Sequence, residues 1–327
     1  MTEMAFANKR IVVTGAGGFV AASVIARLAG EPCRVIAVER PGVEFPVPAS
    51  KAVFERAEGD IADKEFWRRM LQGANFVFHF AAQTSVYQAA MDPPADWQAN
   101  VAPMLALLEA CRSDGPRPLV LFAGSCTQYG LPERLPVDET QRDGPVTIYD
   151  RHKIAAEGYL AHYAEQGWAR GTTLRLANVY GPGPVSSKPD RGILNLMMRR
   201  ALKGEDLTMY GDGVFVRDYV FVGDVAEAFL AAARCADQVN GRHFIVAGGQ
   251  GTSLATAFAL VAERAALLTG RKVAVVSTPP PKGLSPIEDR NFVADISALR
   301  KATGWMPRTG LAEGIDITLK SMLGGSA

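Results

Sequence analysis

The chain has 327 residues, 48% of them hydrophobic, which fits one large α/β unit or a nucleotide-binding domain with a smaller domain appended. Its 35 basic and 34 acidic residues leave a formal charge of +1, so nothing in the charge favours nucleic acid or an anionic membrane as a partner. The four cysteines and four histidines show no metal-ligand spacing, and no stretch approaches the ~18 apolar residues of a membrane span.

The first predicted element is a strand that breaks into a glycine-rich turn and continues as a helix. Residues 11–13 are apolar and β-branched, glycines follow, and apolar residues then recur at helical spacing over 19–28. Such a turn presents backbone N–H groups and a helix N-terminus to a diphosphate, because glycine has no Cβ to block the approach. A glycine turn without a ligand is the alternative. The cofactor contacts predicted here are Gly15, Gly18, Phe19 and Val20.

The second predicted strand, 34–38, ends in Glu39, 24 residues after Gly15. A dinucleotide fold places at this position the carboxylate that binds the adenosine ribose, so Glu39 favours NAD. Arg40 follows directly and could hold a 2′-phosphate, which keeps NADP as an alternative. We expect both residues to contact the cofactor.

An acidic segment comes after the second strand. Residues 59–63 predict a strand end and an acidic N-cap for a helix over 66–71, because an Asp side chain accepts the free N–H groups of a first helical turn. Asp60 within this segment either caps or touches the adenine edge of the cofactor. Capping is the safer interpretation of the two.

A buried strand over 75–83 is followed by a helix over 95–112. The C-terminal ends of the strands in a parallel sheet line the ligand crevice, so the residues that end this strand should lie beside the cofactor. These residues are Phe80, Ala81 and Ala82. His79 lies inside the apolar run, and we interpret it as a core histidine with a hydrogen-bond partner, not as a catalyst.

A further strand over 118–125 carries hydroxyl side chains at its C-terminal tip, Ser125 and Thr127. Tyr149 comes 24 residues after Ser125, and Lys153 four residues later. This i,i+4 spacing puts the phenol and the ammonium on one face of a helix. The pair alone is a weak motif, but its position after the fourth or fifth βα unit makes it a candidate catalytic pair.

Regular alternation of strand and helix ends near residue 180. Shorter elements follow: helices over 192–202, 225–235 and 253–268, and strands over 216–222, 243–246 and 273–276. We predict an α/β fold, a Rossmann-type doubly wound parallel sheet with a smaller C-terminal α/β substrate domain. The predicted Rossmann domain covers 1–180 with 212–245 returning to it, and the substrate domain covers 181–211 and 246–327.

Several motifs occur in the order typical of one protein family. They are Thr14-Gly-Ala-Gly-Gly-Phe-Val, Ser125-Cys-Thr-Gln-Tyr-Gly, Tyr149-x-x-x-Lys153, Leu174-Arg-Leu-Ala-Asn178-Val-Tyr-Gly-Pro and Gly211-Asp-Gly-x-x-x-Arg217-Asp-Tyr. Over residues 10–320 the chain resembles the extended short-chain dehydrogenases/reductases. Within them it most resembles the NAD-dependent nucleotide-sugar epimerases and dehydratases.

The resemblance implies a catalytic set of Ser125, Tyr149 and Lys153. Tyr149 would move a proton on a sugar hydroxyl, and Ser125 would hydrogen-bond the same sugar oxygen. Lys153 would lower the pKa of Tyr149 through its positive charge and hold the nicotinamide ribose. A hydride would pass to the nicotinamide to leave a 4-keto sugar, and an epimerase would return it to the other face of the ketone.

The resemblance also assigns binding residues. The further cofactor contacts that it implies are Asp60, Ile61 and Asn100, and the substrate contacts are Ser125, Thr127, Asn178 and Arg217, the last two on the nucleotide diphosphate. Epimerases commonly have an Arg-x-Gly-Asp near the last strand, and Arg290 is expected to replace its phosphate contact. The dehydratases carry an Asp-Glu pair where this chain has Cys126-Thr127-Gln128, so dehydration is disfavoured.

Three functions are compatible with the sequence. The first is an NAD-dependent nucleotide-diphosphate-sugar 4-epimerase, favoured by the complete catalytic set and Glu39. The second is a nucleotide-4-keto-sugar reductase that consumes NADPH. It is suggested by Arg40 and by Ala21, the last residue of the Gly15-x-x-Gly18-x-x-Ala21 spacing in the glycine turn. The third is a non-catalytic dinucleotide-binding regulatory protein.

Two predicted helices carry more apolar residues than one sheet-facing stripe needs. These residues are Val101, Leu105 and Leu108 in one helix, and Ile154, Leu160 and Tyr163 in the other. Family members often dimerise by packing these two helices against their copies, so we predict a homodimer, with a wider sheet-facing stripe as the alternative. The N-terminus lacks the apolar core of a signal peptide, and a cytoplasmic location is expected.

Overall fold

The computed structural model describes residues 5–43, 50–112, 117–184 and 192–324. Its strands are β1 (Arg10–Thr14), β2 (Arg34–Glu39), β3 (Val53–Glu58), β4 (Phe76–His79), β5 (Leu119–Ser125), β6 (Arg170–Leu176), β7 (Asn178–Tyr180), β8 (Leu207–Tyr210), β9 (Val216–Phe221), β10 (His243–Val246), β11 (Gly251–Ser253) and β12 (Val275–Thr278). Its helices are α1 (Phe19–Leu28), α2 (Lys64–Met70), α3 (Val86–Met91), α4 (Pro93–Asn100), α5 (Ala102–Arg112), α6 (Ile148–Glu165), α7 (Ile193–Lys203), α8 (Val222–Arg234), α9 (Ala236–Val239), α10 (Leu254–Thr269), α11 (Ser297–Thr303) and α12 (Leu311–Gly324). Short 3₁₀ turns cover Cys126–Tyr129 and Pro286–Asp289.

Seven strands form one parallel sheet in the order β10-β6-β5-β4-β1-β2-β3. The chain runs outward from β1 to β3 and then returns to place β4 on the other side of β1. The direction of winding therefore reverses between β1 and β4, and in a doubly wound sheet this reversal opens a ligand crevice at the strand C-termini. The Rossmann-type fold predicted from the sequence is confirmed.

Helices cover both faces of this sheet, which explains why the central residues of β1, β4 and β5 are apolar. Ile11 and Val13 of β1 point to one face, where α1 and α8 pack together. Val12 points to the other face, which α2, α5 and α6 cover. Removing such side chains from water stabilises the fold by about 1.5–3 kcal/mol for each Val or Ile. The sheet is thus a rigid support for the loops that follow its strands.

The smaller part of the fold contains two short sheets and three packed helices. Strands β7, β9 and β11 form one sheet, and β8 pairs with β12 in parallel. Helices α7, α10 and α12 pack around Met197, Met198, Phe258 and Leu319. One residue, Ala177, separates β6 of the large sheet from β7, so the two parts meet beside the crevice. The domain boundaries given above stay predictions.

Several predicted elements differ from the structure. The strand expected over 75–83 is shorter, because β4 ends at His79. The single helix expected over 95–112 is two helices, α4 and α5, with a turn at Val101. Pro103 explains the break, because it has no N–H to donate to the carbonyl four residues earlier and its ring clashes with that carbonyl. The helix expected from 225 begins at Val222, directly after β9, and the strand expected over 273–276 covers Val275–Thr278.

Within the four described ranges no helix is both long and apolar enough to cross a membrane. The same ranges contain no group of three or more His, Cys, Asp or Glu side chains that could hold a metal ion.

Candidate active site

The glycine turn after β1 lies against the tip of β4. Gly15 has a φ of +63°, and a Cβ at this position would lie 2.9 Å from the backbone of Ala81, so only glycine fits both the conformation and the space. Gly18 is the N-cap of α1, and no side chain caps this helix. The first N–H groups of α1 are therefore available to an anion, and the helix dipole favours one there.

The Thr14 hydroxyl fixes this turn to β4. Its oxygen accepts the backbone N–H groups of Phe80 and Ala81 at 3.2 and 3.1 Å, and it lies 2.9 Å from Nδ1 of His79. Burial, with a smaller contribution from the charge of Lys153, lowers the pKa of His79 to about 3, so the ring is neutral. Nδ1 can then accept the Thr14 proton. His79 is a buried core histidine, as predicted.

Glu39 reaches back from the end of β2 to the glycine turn. Its Oε2 accepts the backbone N–H of Gly17 at 3.1 Å, and its side chain is largely buried. Its Oε1 accepts the backbone N–H of Arg40 and lies 3.9 Å from Arg40 Nε, although the Arg40 side chain is 85% exposed. A cavity of about 160 Å³ adjoins Glu39 between β2 and β3, and Gly42, Arg56 and Glu58 line part of it. The carboxylate thus faces the crevice while the Arg40 side chain extends into solvent.

The predicted adenine contacts lie in a local turn after β3. Asp60 Oδ1 accepts the N–H of Ala62 at 2.9 Å, and the carbonyl of Ile61 accepts the Trp67 indole N–H at 2.7 Å. Asp63, not Asp60, caps α2 by accepting the N–H groups of two residues in its first turn. The capping role is therefore assigned to Asp63, and Asp60 stays a predicted cofactor contact.

Apolar side chains line the crevice beside the glycine turn. The Phe19 ring packs against Gly183, where a Cβ would lie 2.7 Å from Phe19 Cδ2. The Phe80 ring meets the Phe229 ring edge-on at 4.7 Å. The other predicted residues of these walls, which are partly buried, are Val20, Ala81 and Ala82.

Tyr149 and Lys153 occupy the first two turns of α6. The helix begins with a capping box in which the Thr147 hydroxyl accepts the N–H of Asp150 and the Asp150 carboxylate accepts the N–H of Thr147. Both candidate residues are buried, and Lys153 Nζ lies 4.3 Å from the centre of the Phe122 ring in β5. The capping box fixes where the helix starts and so places both side chains.

Burial lowers the pKa of Lys153 to about 7, although the carboxylates of Asp96 and Glu157 favour its charged form. An amine with a pKa near 7 is protonated in part of the molecules at neutral pH. Its charge then favours the ionised form of a phenol one helical turn away. Such a shift is typical of functional sites, although structural ion pairs also produce shifts.

The tip of β5 turns sharply and brings two hydroxyl groups together. Ser125 Oγ lies 2.8 Å from Thr127 Oγ1 and accepts the N–H of Thr127, so Ser125 caps the 3₁₀ turn that follows. This turn packs against α6, and a hydrogen bond from Gln128 to Glu157 joins them. The structure thus brings the predicted Ser125 and Thr127 to the helix that carries Tyr149 and Lys153.

Asn100 lies at the end of α4 in a buried polar cluster. Its Nδ2 donates to the Gln83 carbonyl at 2.9 Å and to Asp96 Oδ1 at 3.0 Å. Asp96 also accepts the Gln83 side-chain amide and contacts His152 Nδ1, each at 2.6 Å. Asn100 Oδ1 is buried and has no partner among the described residues, which leaves an acceptor for a ligand hydroxyl. The i,i+4 spacing of Asp96 and Asn100 was the one sequence signal for this cluster.

The three predicted diphosphate residues meet between β7, β9 and the second 3₁₀ turn. Arg217 donates to the backbone carbonyls of Arg290 and Glu288, the latter at 2.7 Å. Arg290 donates to Asn178 Oδ1 at 3.4 Å, and its Nε is buried without a partner among the described residues. Burial and the neighbouring charge of Arg217 lower the pKa of Arg290 to about 10. The two buried guanidinium groups have the partly exposed Glu288 carboxylate, 3.6 Å from Arg217, as a nearby counter-charge, and a bound anion would add to it.

Comparison with known proteins identifies a matching family and relatives of similar length. Residues 11–247 match a family model described as the NAD-dependent epimerase/dehydratase family. A UDP-glucose 4-epimerase of Mycolicibacterium smegmatis is 30% identical over 316 residues, which cover 95% of this chain and 97% of that protein.

Two crystal structures of UDP-glucose 4-epimerases share the whole fold. The enzyme of Thermotoga maritima with UDP-glucose is 31% identical, has a TM-score of 0.85 and covers 97% of this chain and 100% of its own. The enzyme of Thermus thermophilus in complex with NAD is 32% identical, has a TM-score of 0.81 and covers 96% of this chain and 99% of its own.

Proposed function

The chain belongs to the NAD-dependent epimerase/dehydratase family, and from this membership we propose that it is a nucleotide-sugar 4-epimerase acting on a UDP-hexose. The observation that carries the proposal is the placement of buried Tyr149 and Lys153 in the first turns of α6, with the Ser125 turn packed against that helix. The names of the relatives that align over nearly the whole chain support a 4-epimerase and a uracil nucleotide.

The described residues fit NAD as the cofactor. The uncapped N-terminus of α1 suits the diphosphate, and Glu39 suits the ribose hydroxyls of NAD better than a 2′-phosphate. Lys153 suits a hydrogen bond to the nicotinamide ribose, and the unpartnered Oδ1 of Asn100 suits a hydroxyl or amide donor of the cofactor. NAD, when bound, supplies a hydride acceptor for sugar C4 and returns the hydride in the second half of the reaction.

Residues of this chain transfer the proton of the C4 hydroxyl. Tyr149 takes the proton of the C4 hydroxyl as C4 is oxidised and returns it when C4 is reduced from the other face. The Lys153 ammonium stabilises the phenolate form of Tyr149 through its charge. Ser125 and Thr127 present hydroxyl groups that hold the sugar oxygen in line with the phenol. Proton and hydride both return, so the sugar changes only its configuration.

The nucleotide diphosphate is held by Arg217, Arg290 and Asn178. A charge-assisted hydrogen bond to a phosphate oxygen is stronger than one to a neutral acceptor, so the unpartnered Nε of Arg290 gains most from the bound anion. The ligand also supplies negative charge between two cations that are buried together. Phosphate contacts remote from C4 leave the sugar ring free to present either face to the cofactor.

The proposal is tested by incubating the purified protein with UDP-glucose and following UDP-galactose, with and without added NAD. We expect interconversion in both directions and no net formation of NADH. Net consumption of added NADPH by a UDP-4-keto-sugar, without interconversion, would indicate the reductase. Bound NAD with no turnover of UDP-glucose, UDP-N-acetylglucosamine or UDP-glucuronate would indicate a non-catalytic protein.

We also propose that the protein forms a homodimer through α5 and α6 and works in the cytoplasm. Four of the six apolar residues expected in the interface are buried within the single chain, which leaves half-buried Leu105 and Ile154 together with exposed Tyr159. Light scattering at micromolar concentration tests the dimer, because a mass near 35.0 kDa would mean a monomer.

A further inference from the structure

A buried side chain connects the two halves of the proposed active site. Gln128, in the 3₁₀ turn after β5, has no exposed surface. Its Oε1 accepts the backbone N–H of Ser125 at 2.8 Å, and its Nε2 donates to Oε2 of Glu157 at 3.0 Å. Glu157 lies one helical turn after Lys153 and two turns after Tyr149. One amide thus joins the end of β5 to the catalytic face of α6.

An ion pair holds Glu157 in place. Arg175 of β6 is buried, and it donates to Glu157 Oε2 at 3.0 Å and to Oε1 at 2.5 Å. The same guanidinium contacts both oxygens of Asp143, at 2.6 and 3.1 Å, and lies 4.6 Å from the centre of the Tyr129 ring. Glu157 cannot turn away without leaving a buried charge unpaired, which is strongly unfavourable. The acceptor that Gln128 uses is therefore fixed.

The space around Gln128 is closed as well. A Cβ at Gly124 would lie 3.1 Å from Gln128 Oε1 and 2.6 Å from Thr173 Cγ2. The backbone carbonyl of Gln128 accepts the N–H of Gly144. An amide offers an acceptor to Ser125 and a donor to Glu157, whereas an ionised carboxylate has no donor and a thioether has almost no polar capacity. The site therefore requires an amide or its equivalent.

We propose that Gln128 is a positioning residue that sets the separation between Ser125 and the Tyr149–Lys153 face of α6. The inference rests on the proposed function, in which Ser125 and Tyr149 act on the same sugar oxygen. Misplacing one such group by about 1 Å costs on the order of 10² in rate. Loss of the bridge should therefore lower kcat far more than it lowers the affinity for NAD, because the glycine turn and Glu39 are not part of it.

The first test is Gln128→Glu, which keeps the size of the side chain and places two carboxyl groups together. The charged and titratable groups around this position are Glu157 on α6, Arg175 on β6, His243 on β10, and Asp143 and Tyr129 in the loops. Above neutral pH two carboxylates repel, the bridge opens and kcat should fall on the order of 10² below wild type. At lower pH a shared proton restores the missing donor, so the ratio of variant to wild-type kcat should rise between pH 8 and pH 6.

The second test is Gln128→Met, which keeps the length of the side chain and removes both its acceptor and its donor. Its kcat should also fall on the order of 10² below wild type, but by the same factor at pH 8 and pH 6, because no proton can restore the bridge. Gln238→Glu, which introduces a carboxylate at an exposed site on α9, is the control and should leave kcat unchanged.

A readout without substrate separates this inference from the proposed function. The Ser125 amide should exchange with solvent about tenfold faster in Gln128→Met than in wild type, since the exchange rate reports the loss of its acceptor. If wild type turns over no nucleotide sugar, the proposed function fails and the exchange result decides whether the bridge holds Ser125. Unchanged exchange, or a loss of kcat with the same pH dependence in Gln128→Glu as in Gln128→Met, would overturn the positioning role.

Discussion

Arg217 donates a hydrogen bond from its guanidinium to the backbone carbonyl of Arg290, although 73 residues separate the two in the sequence. Both side chains are buried, and the Glu288 carboxylate that approaches Arg217 to 3.6 Å is itself 42% exposed. Each guanidinium is thus held by neutral carbonyl and amide oxygens more than by negative charge. Two adjacent buried cations destabilise the folded protein, and in the proposed function the diphosphate of the substrate would offset this effect.

Arg290→Met should weaken the binding of UDP on the order of 10²-fold, because a charge-assisted contact to the diphosphate is lost. The melting temperature without ligand should change little or rise, since a buried cation is removed together with two hydrogen bonds. Titration calorimetry with UDP and thermal melts measure the two effects. Arg308→Met, at an exposed site, is the matched control. Unchanged UDP affinity would contradict the assignment of Arg290.

Lys153→Met should remove a pH dependence of stability. The pKa of Lys153 is about 7 in the folded protein and 10.5 when exposed, so between these values the unfolded chain holds a proton that the folded protein has released. The contribution of Lys153 to the unfolding free energy therefore rises with pH in this window, by at most about 1.4 kcal/mol per pH unit, and is lost as pH falls to about 7.

Urea unfolding without cofactor at pH 7 and pH 9 measures this effect. The unfolding free energy of wild type minus that of Lys153→Met should increase at the higher pH. Lys320→Met, at an exposed site on α12, should give a constant difference. A constant difference for Lys153→Met as well would mean that the lysine is not buried as described.

Tyr149→Phe should lower kcat on the order of 10²–10⁴-fold, because the ring remains but the proton carrier is lost. The fold should be retained, as judged by circular dichroism and NAD binding. Tyr210→Phe removes a phenol from an exposed position on β8 and should have no effect. Residual activity within about tenfold of wild type would exclude Tyr149 as the general acid and base.

Glu39→Ala should reduce the preference for NAD over NADP, because the carboxylate both accepts the ribose hydroxyls and repels a 2′-phosphate. Since Glu39 also accepts the N–H of Gly17, Glu39→Gln is the control that keeps an acceptor oxygen and removes only the charge. Dissociation constants for both cofactors decide the matter. Tighter binding of NADP than NAD by the wild type would contradict the role given to Glu39.

The parts of the fold and site that could be predicted are local in the sequence. The glycine turn, Glu39 at the end of a strand and the four-residue spacing of Tyr149 and Lys153 each depend on a short segment. The strand order then brings these segments together at the C-terminal ends of the strands. The break at Val101 shows the limit of this prediction, because the apolar pattern continues through Val101 while Pro103 interrupts the helix.

The supporting polar clusters could not be predicted. Arg175 is a buried residue of β6, and its partners Glu157 and Asp143 are 18 and 32 residues away in the sequence and lie outside that strand. The spacing of apolar residues in the sequence predicts helices and strands, but it does not predict which side chains of a strand, a helix and a loop will contact each other. For Asp96 the four-residue spacing to Asn100 was visible, but its contacts with Gln83 and with His152 on another helix were not. Such networks depend on the finished packing of several elements.

The edge strand β10 comes from residues 243–246, whereas its neighbour β6 ends at Leu176. A ribosome delivers the chain from its N-terminus, so β6 stays at an open sheet edge until about three-quarters of the chain has been made. Unpaired N–H and C=O groups at such an edge are a template for aggregation. A nascent chain stalled near residue 230 should therefore bind chaperones and be cut readily by protease, whereas one whose residues through 246 have left the exit tunnel should resist both.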